Sequence, residues 1–336
     1  MSNYQIVTIT NELLEATANN IGAFVDEAKL HMDTGFRNLS NDLAKDVFGD
    51  GSGLRGTIAS ISTGVITLVN AADVVNFEVG MALLSYNSSW TVVTGGAVGY
   101  VVAVDRGAGT VTISTSVGGA AATPTNWSTT FLNLVVQGDG SAAAPATATN
   151  LKVTGLGGWI PQSSPSGSDS FWGVNRSIDA TRLSGVRYDG SSQSIEEALI
   201  DGASLVAREG GQPDVAICNF ASYAALEKSL GSKVQYVDVK HDEADIAFAG
   251  IRVNAPYGQI TVIPDRSCQA QTCYLLQMDT WKFRSLNKAP HILTYGLEGL
   301  EGLRTGAADA LEIRLGFYGN LICNAPGWNA NIKLSQ

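Results

Sequence analysis

Apolar residues in the first fifty positions recur at spacings of three and four, which is the period of an amphipathic helix. The pattern covers 11–47, and its most regular members are Phe36, Leu39 and Leu43. Asp33 or Thr34 could cap a second helix, so we expect a helix, a break and another helix. Residues 1–50 are therefore predicted to form a helical N-terminal arm.

A glycine cluster at 49–56 ends this pattern, and short apolar runs bounded by glycine-bearing turns follow it. Two pairs of runs predict hairpins, and one more run predicts a single strand. The predicted strands are 57–61 with 65–69, 100–104 with 110–114, and 74–81. Five or six short strands within about 80 residues indicate a small barrel or sandwich. Residues 138–149 are small and weakly patterned, which indicates a linker.

A capping box begins the clearest helix of the second half, with Ser194 as N-cap and Glu197 three residues later. Gly210 ends this helix. An Asn219-capped helix to about Leu230 follows, and strands surround both helices. The predicted strands are 214–218, 234–239, 251–253, 259–263, 273–278, 281–285 and 310–323. Because strands and helices lack a regular βαβ rhythm, the predicted class is α+β.

Composition and charge limit the classes of function that the sequence allows. Charged residues make up 15% of the 336 residues, below the roughly 25% usual for soluble proteins, so other copies could cover much of the surface. The net charge of −10 argues against a surface that neutralises phosphates, although an acidic inner wall suits a container for DNA. Four scattered cysteines are expected to be ordinary thiols in a reducing cytoplasm. We find neither a membrane-length apolar run nor a signal-peptide pattern.

No motif specifies a reaction. The sequence GSGLRG at 51–56 matches a dinucleotide fingerprint, but here a helix precedes it and strands follow, so we interpret it as a flexible hinge. His31, His241 and His291 lack zinc or triad spacing. The acidic residues at 242–245 are predicted to be a solvated turn. We therefore predict no catalytic, cofactor-binding or metal-binding residues and no enzyme activity; a hydrolase with a triad assembled through space is the enzymatic alternative.

The order of segments and five short motifs resemble the major capsid proteins of tailed bacteriophages with the Hong Kong 97-type fold. The motifs are FGDGSG at 48–53, GLGGWIP at 155–161, FWGVNR at 171–176, PDR at 264–266 and APGWN at 325–329. The resemblance implies five parts. These are an N-terminal arm (1–50), an extended-loop region with an inserted β subdomain (51–150), a peripheral domain with spine helix 194–209 (151–213), an axial domain (214–285), and strands returning to the peripheral domain (286–336).

The resemblance also implies a function. Pentamers and hexamers of such a chain, made in the host cytoplasm, assemble into the icosahedral virion shell that encloses double-stranded DNA without reading its sequence. Portal, scaffolding and decoration proteins are candidate partners, and no cofactor or membrane is implied. The candidate assembly contacts are Phe36, Leu39, Leu43, Trp159, Arg176, Arg182, Asp265 and Arg266. For the charged members, pairing within the chain is an equal alternative.

Some members of this family weld subunits through lysine–asparagine bonds, and Lys152 is a candidate for such a bond by location only. Two other functions stay open. An encapsulin-like nanocompartment shell shares the fold but would enclose an enzyme in place of DNA. A β-rich tail or adhesin protein would explain the Gly/Ser/Thr-rich first half, but it fits the capped helix and the α+β lobe poorly.

Overall fold

A computed structural model describes residues 2–10, 12, 21–88, 90–93, 97–129, 133–136, 152–230, 251–293, 303–304 and 309–335. Helices and strands are mixed along these residues. The helices are α1 (Ile21–Phe48), α2 (Leu156–Trp159), α3 (Ala180–Ser184), α4 (Ile195–Arg208) and α5 (Phe220–Leu230). The predicted linker at 138–149, the strand at 234–239 and the acidic turn at 242–245 lie outside the described residues, as does His241.

The strand-rich segment after α1 forms a closed barrel. Its strands are β2 (Leu54–Ser62), β3 (Val65–Leu68), β4 (Ala82–Tyr86), β5 (Gly99–Asp105), β6 (Thr110–Ser114) and β7 (Asn133–Val136). Their order around the barrel is β2-β3-β6-β5-β4-β7. Both predicted hairpins are confirmed, because β2 pairs with β3 and β5 with β6, each in antiparallel register. Inward-facing aliphatic residues and Phe77 fill the barrel.

The strand predicted at 74–81 is wrong. Ala71–Asn76 is a 3-10 turn, and the Asn70 side chain accepts a hydrogen bond from the Ala72 amide at 3.1 Å. Val74 and Phe77 are both buried in the barrel core. A spacing of three brings them to one side of a tight helical turn, whereas a strand would bring them to opposite faces.

A six-stranded sheet forms the centre of the second half. Its strands are β8 (Val186–Gly190), β9 (Val215–Cys218), β10 (Ile251–Ala255), β11 (Gly258–Pro264), β12 (Thr272–Leu276) and β17 (Ala330–Leu334). Their order in the sheet is β10-β11-β9-β12-β17-β8. The apolar sides of α4 and α5 pack on one face of this sheet. The predicted capping box at Ser194 and Glu197 is confirmed, and so are the α5 helix and its Asn219 cap.

A second sheet is built around one long strand, β16 (Ala310–Cys323). Its other members, all antiparallel to β16, are β1 (Ser2–Thr10), β13 (Trp281–Ser285), β14 (His291–Ile292) and β15 (Leu303–Arg304). Helix α1 lies against β1 and β16 at Gly35, where an added Cβ would lie 2.7 Å from Val7 and 2.8 Å from Leu315. The second sheet, α1 and the other face of the six-stranded sheet share one apolar core.

Two expectations for the arm are wrong. Residues 2–10 form strand β1, because Val7 and Ile9 point into the core while Ile6 and Thr8 point outward, the alternation of a strand. The expected break at Asp33 or Thr34 is also absent from α1, which continues through both residues. The Thr34 hydroxyl donates to the Leu30 carbonyl at 2.8 Å within the helix, so it caps nothing.

The expected boundary between residues 213 and 214 does not separate two cores. Helix α4, on its N-terminal side, buries Leu199 and Val206 in the same cluster as Ala216 of β9 and Leu226 of α5. Strands β8 and β17, which flank the expected axial segment in sequence, complete the same sheet. The layer of α4 and α5 on this sheet is therefore one packed unit.

Candidate assembly surface

Residues 155–158 follow the barrel and make close backbone contacts with the end of α1. We call these residues the glycine clasp. The Gly158 amide donates to the Gly49 carbonyl at 3.3 Å. A Cβ on Gly155 would overlap the Val47 carbonyl oxygen. Only a residue without a side chain lets the two backbones come this close.

The glycines predicted to be a hinge have a packing role as well. Gly51 and Gly53 adopt positive φ angles of 93° and 79°, and the Gly51 carbonyl accepts a hydrogen bond from the Lys152 amide at 3.0 Å. A Cβ on Gly56 would meet the Phe77 ring at 3.1 Å. These residues join the arm, the barrel and the clasp in one fixed arrangement.

A buried ion pair holds the barrel against α1. The Arg55 guanidinium lies 2.8 Å from an Asp46 carboxylate oxygen, and both side chains are almost completely buried. The Lys45 ammonium donates to the Asn76 carbonyl at 3.4 Å and lies 3.8 Å from Glu78. Burial raises the pKa of Asp46, and the neighbouring Arg55 opposes that rise.

Lys152, the crosslinking candidate, lies beside this ion pair. Its side chain is buried, and its positive charge opposes the rise that burial causes in the pKa of Asp46. The lysine therefore belongs to the charge cluster at the junction of α1 and the barrel.

Arg176 is the centre of a second cluster, which we call the arginine clamp. Its guanidinium donates to both carboxylate oxygens of Asp169 at 2.8 and 3.1 Å and to the Gly158 carbonyl at 2.7 Å. It also lies 4.0 Å from the centre of the Phe171 ring, which packs edge-on against Trp159 at 4.9 Å. Hydrogen bonding from Arg176 lowers the pKa of Asp169.

In the structure, Arg176 is paired within the chain. Its charge is satisfied within the chain, in a bidentate pair that also binds the clasp. The Trp159 indole nitrogen donates to the Leu321 carbonyl at 3.0 Å and anchors the same loop to β16. Both residues therefore position the loop through hydrogen bonds within the chain.

Held by the clamp, the chain from 172 to 183 exposes large apolar side chains, and Trp328 lies on the 326–328 turn that packs against α3. We call this set the apolar patch: Trp172, Val174, Ile178, Leu183 and Trp328. Trp172 is 56% exposed and Ile178 is 82% exposed. Trp172 also has a φ of +52°, a left-handed conformation that surrounding contacts must hold. Large apolar side chains exposed on neighbouring segments are candidates for an interaction site.

Arg182 lies at the edge of this patch, with a largely exposed side chain 3.8 Å from Asp179. Exposed ion pairs of this kind contribute little to stability. Of the charged candidates, it is the one placed beside the apolar patch.

Asp265 and Arg266 lie elsewhere, after β11. An Asp265 carboxylate oxygen accepts the Ser267 amide at 2.7 Å, and the exposed Arg266 lines a cavity of about 260 Å³ between the barrel and the six-stranded sheet. Arg106 and Asp73 lie on the same cavity. Burial raises the pKa of Asp73 to about 6.

The pKa of Asp73 makes stability depend on pH. Because folding raises this pKa from its usual 3.8 to about 6, the stabilisation from proton binding is full below pH 3.8 and is lost as pH rises through 6. Asp73→Asn should therefore raise the melting temperature at pH 8 and have little effect at pH 4. The same exchange at the exposed Asp33 should leave the melting temperature unchanged at both pH values; an equal shift in both variants would contradict the assignment.

The three arm candidates contact this chain's own core. Leu39 is buried, and Phe36 and Leu43 are half-buried. All three pack in the apolar core that α1 forms with β1 and β16. The structure therefore brings the eight candidates to three places: α1, the clamp with its neighbouring patch, and the turn after β11, where Arg266 lines the cavity. Sequence reasoning missed Val174, Ile178 and Leu183, whose only signal was that they flank Arg176 and Arg182.

A family model for the SU10 major capsid protein matches residues 131–307, which is more than half of the 336 residues. The chain belongs to the SU10 major capsid protein family. The match includes the clasp, the clamp, α4 and α5, and it leaves out α1 and most of the barrel. No curated protein matches the sequence.

Three solved structures are similar over parts of the chain. A chain of the cyanophage A-1(L) capsid asymmetric unit is 16% identical, with a TM-score of 0.42, over 58% of this chain and 63% of that one. A chain of the satellite phage P4 procapsid with its size determination protein is 9% identical, with a TM-score of 0.38, over 99% and 70%. The SrpI encapsulin of Synechococcus elongatus PCC 7942 is 11% identical, with a TM-score of 0.31, over 44% and 51%.

The chain spans less than two thirds of the cyanophage protein's length, and we transfer no residue role from any of the three. Among the described helices, none is long and apolar enough to cross a membrane. In the same part of the chain, no group of three or more His, Cys, Asp or Glu side chains is arranged to hold a metal ion.

Proposed function

We propose that the chain builds the icosahedral shell of a tailed phage by assembling into pentamers and hexamers around double-stranded DNA. The family match over residues 131–307 carries this proposal. The protein would reside in the virion and act through contacts between copies, without catalysis. Portal, scaffolding and decoration proteins are the further partners that such a shell would use.

We assign the apolar patch to the contact between neighbouring copies. A shell subunit has neighbours on several sides, so large apolar side chains that the monomer exposes find partners in the assembly. Burying an isoleucine side chain contributes about 1.5–3 kcal/mol, and this contribution recurs at each equivalent contact. Arg182 at the edge would add charge complementarity, which sets orientation more than affinity.

The clamp supports this assignment because it fixes the loop before assembly. Arg176 binds Asp169, Gly158 and the Phe171 ring, and Phe171 leads directly into the exposed Trp172. A loop that is already ordered loses less conformational entropy when it binds. The patch is therefore prepared for contact in the free subunit.

For the Hong Kong 97-type arrangement we propose assignments that follow the packed layers. The unit of α4, α5 and the six-stranded sheet would contain the axial domain, although α4 was expected to be the peripheral spine helix. The 28-residue α1, about 42 Å long, lies along β16 and would be the elongated peripheral element. The barrel would occupy the extended-loop position, fixed to α1 by Asp46 and Arg55.

The net charge of −10 supports enclosure of DNA without adhesion to it, since like charges repel. To test the function, particles should be purified by density gradient from lysates of the infected host and treated with nuclease. We expect this chain to be their most abundant protein and double-stranded DNA to survive inside them. Particles that contain an enzyme and no DNA would instead indicate a nanocompartment.

A further inference from the structure

Two cysteines lie directly opposite each other in the centre of the six-stranded sheet. Cys218 ends β9, and Cys273 is its partner in the antiparallel β12 strand. Both side chains belong to the same apolar core, so they project from the same face of the sheet. Each thiol is free and buried, and the two hydrogen-bond to each other.

The backbone hydrogen bonds around Cys218 show whether Cys218 and Cys273 form a hydrogen-bonded or a non-hydrogen-bonded antiparallel pair. The Cys218 carbonyl accepts from the Asp265 amide at 2.8 Å, on the β11 side of the strand. Since the amide and carbonyl of a strand residue point to the same side, Cys218 makes no backbone hydrogen bond to β12. Its pairing with Cys273 is therefore the non-hydrogen-bonded kind, in which Cα atoms lie about 4.5 Å apart and side chains are closest.

That separation lies within the range of roughly 4.4–6.8 Å that disulfides span. The bond could then form without moving either strand. The other buried cysteines are placed differently: the Cys268 thiol donates to the Ile217 and Thr272 carbonyls at 3.7 and 3.6 Å, and Cys323 lies near Thr280.

We propose that Cys218 and Cys273 are a redox-sensitive pair that forms a disulfide when the assembled protein leaves the reducing cytoplasm and meets a peroxide. The bond would close the excursion 219–272, which carries α5, β10 and β11. Because the disulfide joins the two ends of this segment, it would restrain the segment without changing the fold.

The chemistry requires a small oxidant because both thiols are buried. The Cys218 thiolate attacks one oxygen of hydrogen peroxide; the O–O bond breaks, an S–O bond forms, and the released hydroxide takes a proton to become water. The Cys273 sulfur then attacks the Cys218 sulfur, an S–S bond forms, and the second oxygen leaves as water with the Cys273 proton. The hydrogen bond from Cys273 lowers the pKa of Cys218, which favours Cys218 as the first nucleophile.

The test exposes the full purified chain to hydrogen peroxide, alkylates remaining thiols under denaturing conditions, and maps peptides without reduction. We expect a Cys218–Cys273 linked peptide, with Cys268 and Cys323 recovered alkylated. The melting temperature should rise by about 5 °C and return after reduction. The double variant Cys268→Ser, Cys323→Ser should keep both results, and Cys218→Ser should lose them.

A linked peptide that contains Cys268, or recovery of Cys218 as a free thiol or a sulfinic acid, would overturn the proposal. This outcome is read from the unmodified chain, so it does not depend on whether Cys218→Ser folds. It is also independent of shell formation, because the geometry lies within one subunit.

Discussion

Replacing Ile178 by aspartate should lower the yield of assembled particles at least about tenfold while leaving the subunit folded. The side chain is 82% exposed in the single chain, so a carboxylate there costs the monomer little. In a subunit contact, the variant loses about 1.5–3 kcal/mol of apolar burial and must also desolvate a charge. Each contact should weaken by about tenfold or more, and the loss recurs throughout the shell.

The matched variant is Ile178→Leu, which keeps the size and apolar character of the side chain. Particle yield from sedimentation should fall at least about tenfold for the aspartate variant and stay near wild type for leucine. Circular dichroism and melting temperature should be the same for all three proteins. Normal particle yield from a folded Ile178→Asp protein would remove the apolar patch from the assembly interface.

Gly155→Ala should be among the most destabilising single changes in the chain. The added methyl would overlap the Val47 carbonyl oxygen in the last turn of α1, and backbone atoms of Asp46 are also close. Backbone cannot move aside as a side-chain end can, so the loop must separate from the arm. We expect a loss of about 3 kcal/mol or more in the free energy of unfolding.

Gly167→Ala is the control, because an added Cβ there meets nothing within 4 Å. It should change the free energy of unfolding by less than about 0.5 kcal/mol. Denaturant titration of both variants measures the difference. Equal stability of the two would show that the clasp is not a close backbone contact.

Local signals in the sequence specified the elements that the structure confirms. The capping box at Ser194 and Glu197 depends on neighbouring residues only, and glycine-bearing turns fixed both barrel hairpins. The predicted 310–323 strand is confirmed over the same residues. In each case the pattern needed no knowledge of the rest of the chain.

The errors arose where distant contacts decide the structure. Strand β1 is paired with β16, about 300 residues away in sequence, so its short alternation was overlooked beside the stronger helical pattern that follows. The break expected in α1 failed because Thr34 bonds within the helix and Gly35 makes room for β1 and β16. Sequence order does not show which sheet a helix covers, so the packing of α4 in one core with β9 and α5 was not predicted.

Arg176 and Trp159 were predicted from the sequence as assembly contacts. In the structure their polar groups bond within the chain, and a role in assembly stays a prediction. The sequence could not show that apolar residues close to Arg176 along the chain would be exposed. Ile178 and Leu183 are exposed in the structure, whereas in the sequence alone they look like ordinary core residues.

Shell formation by this chain is tested most directly by size-exclusion chromatography combined with negative-stain microscopy. The full chain should be expressed alone and together with its neighbouring phage genes. We expect rings of five and six subunits or closed shells in at least one of these preparations. A stable monomer in both would contradict this expectation.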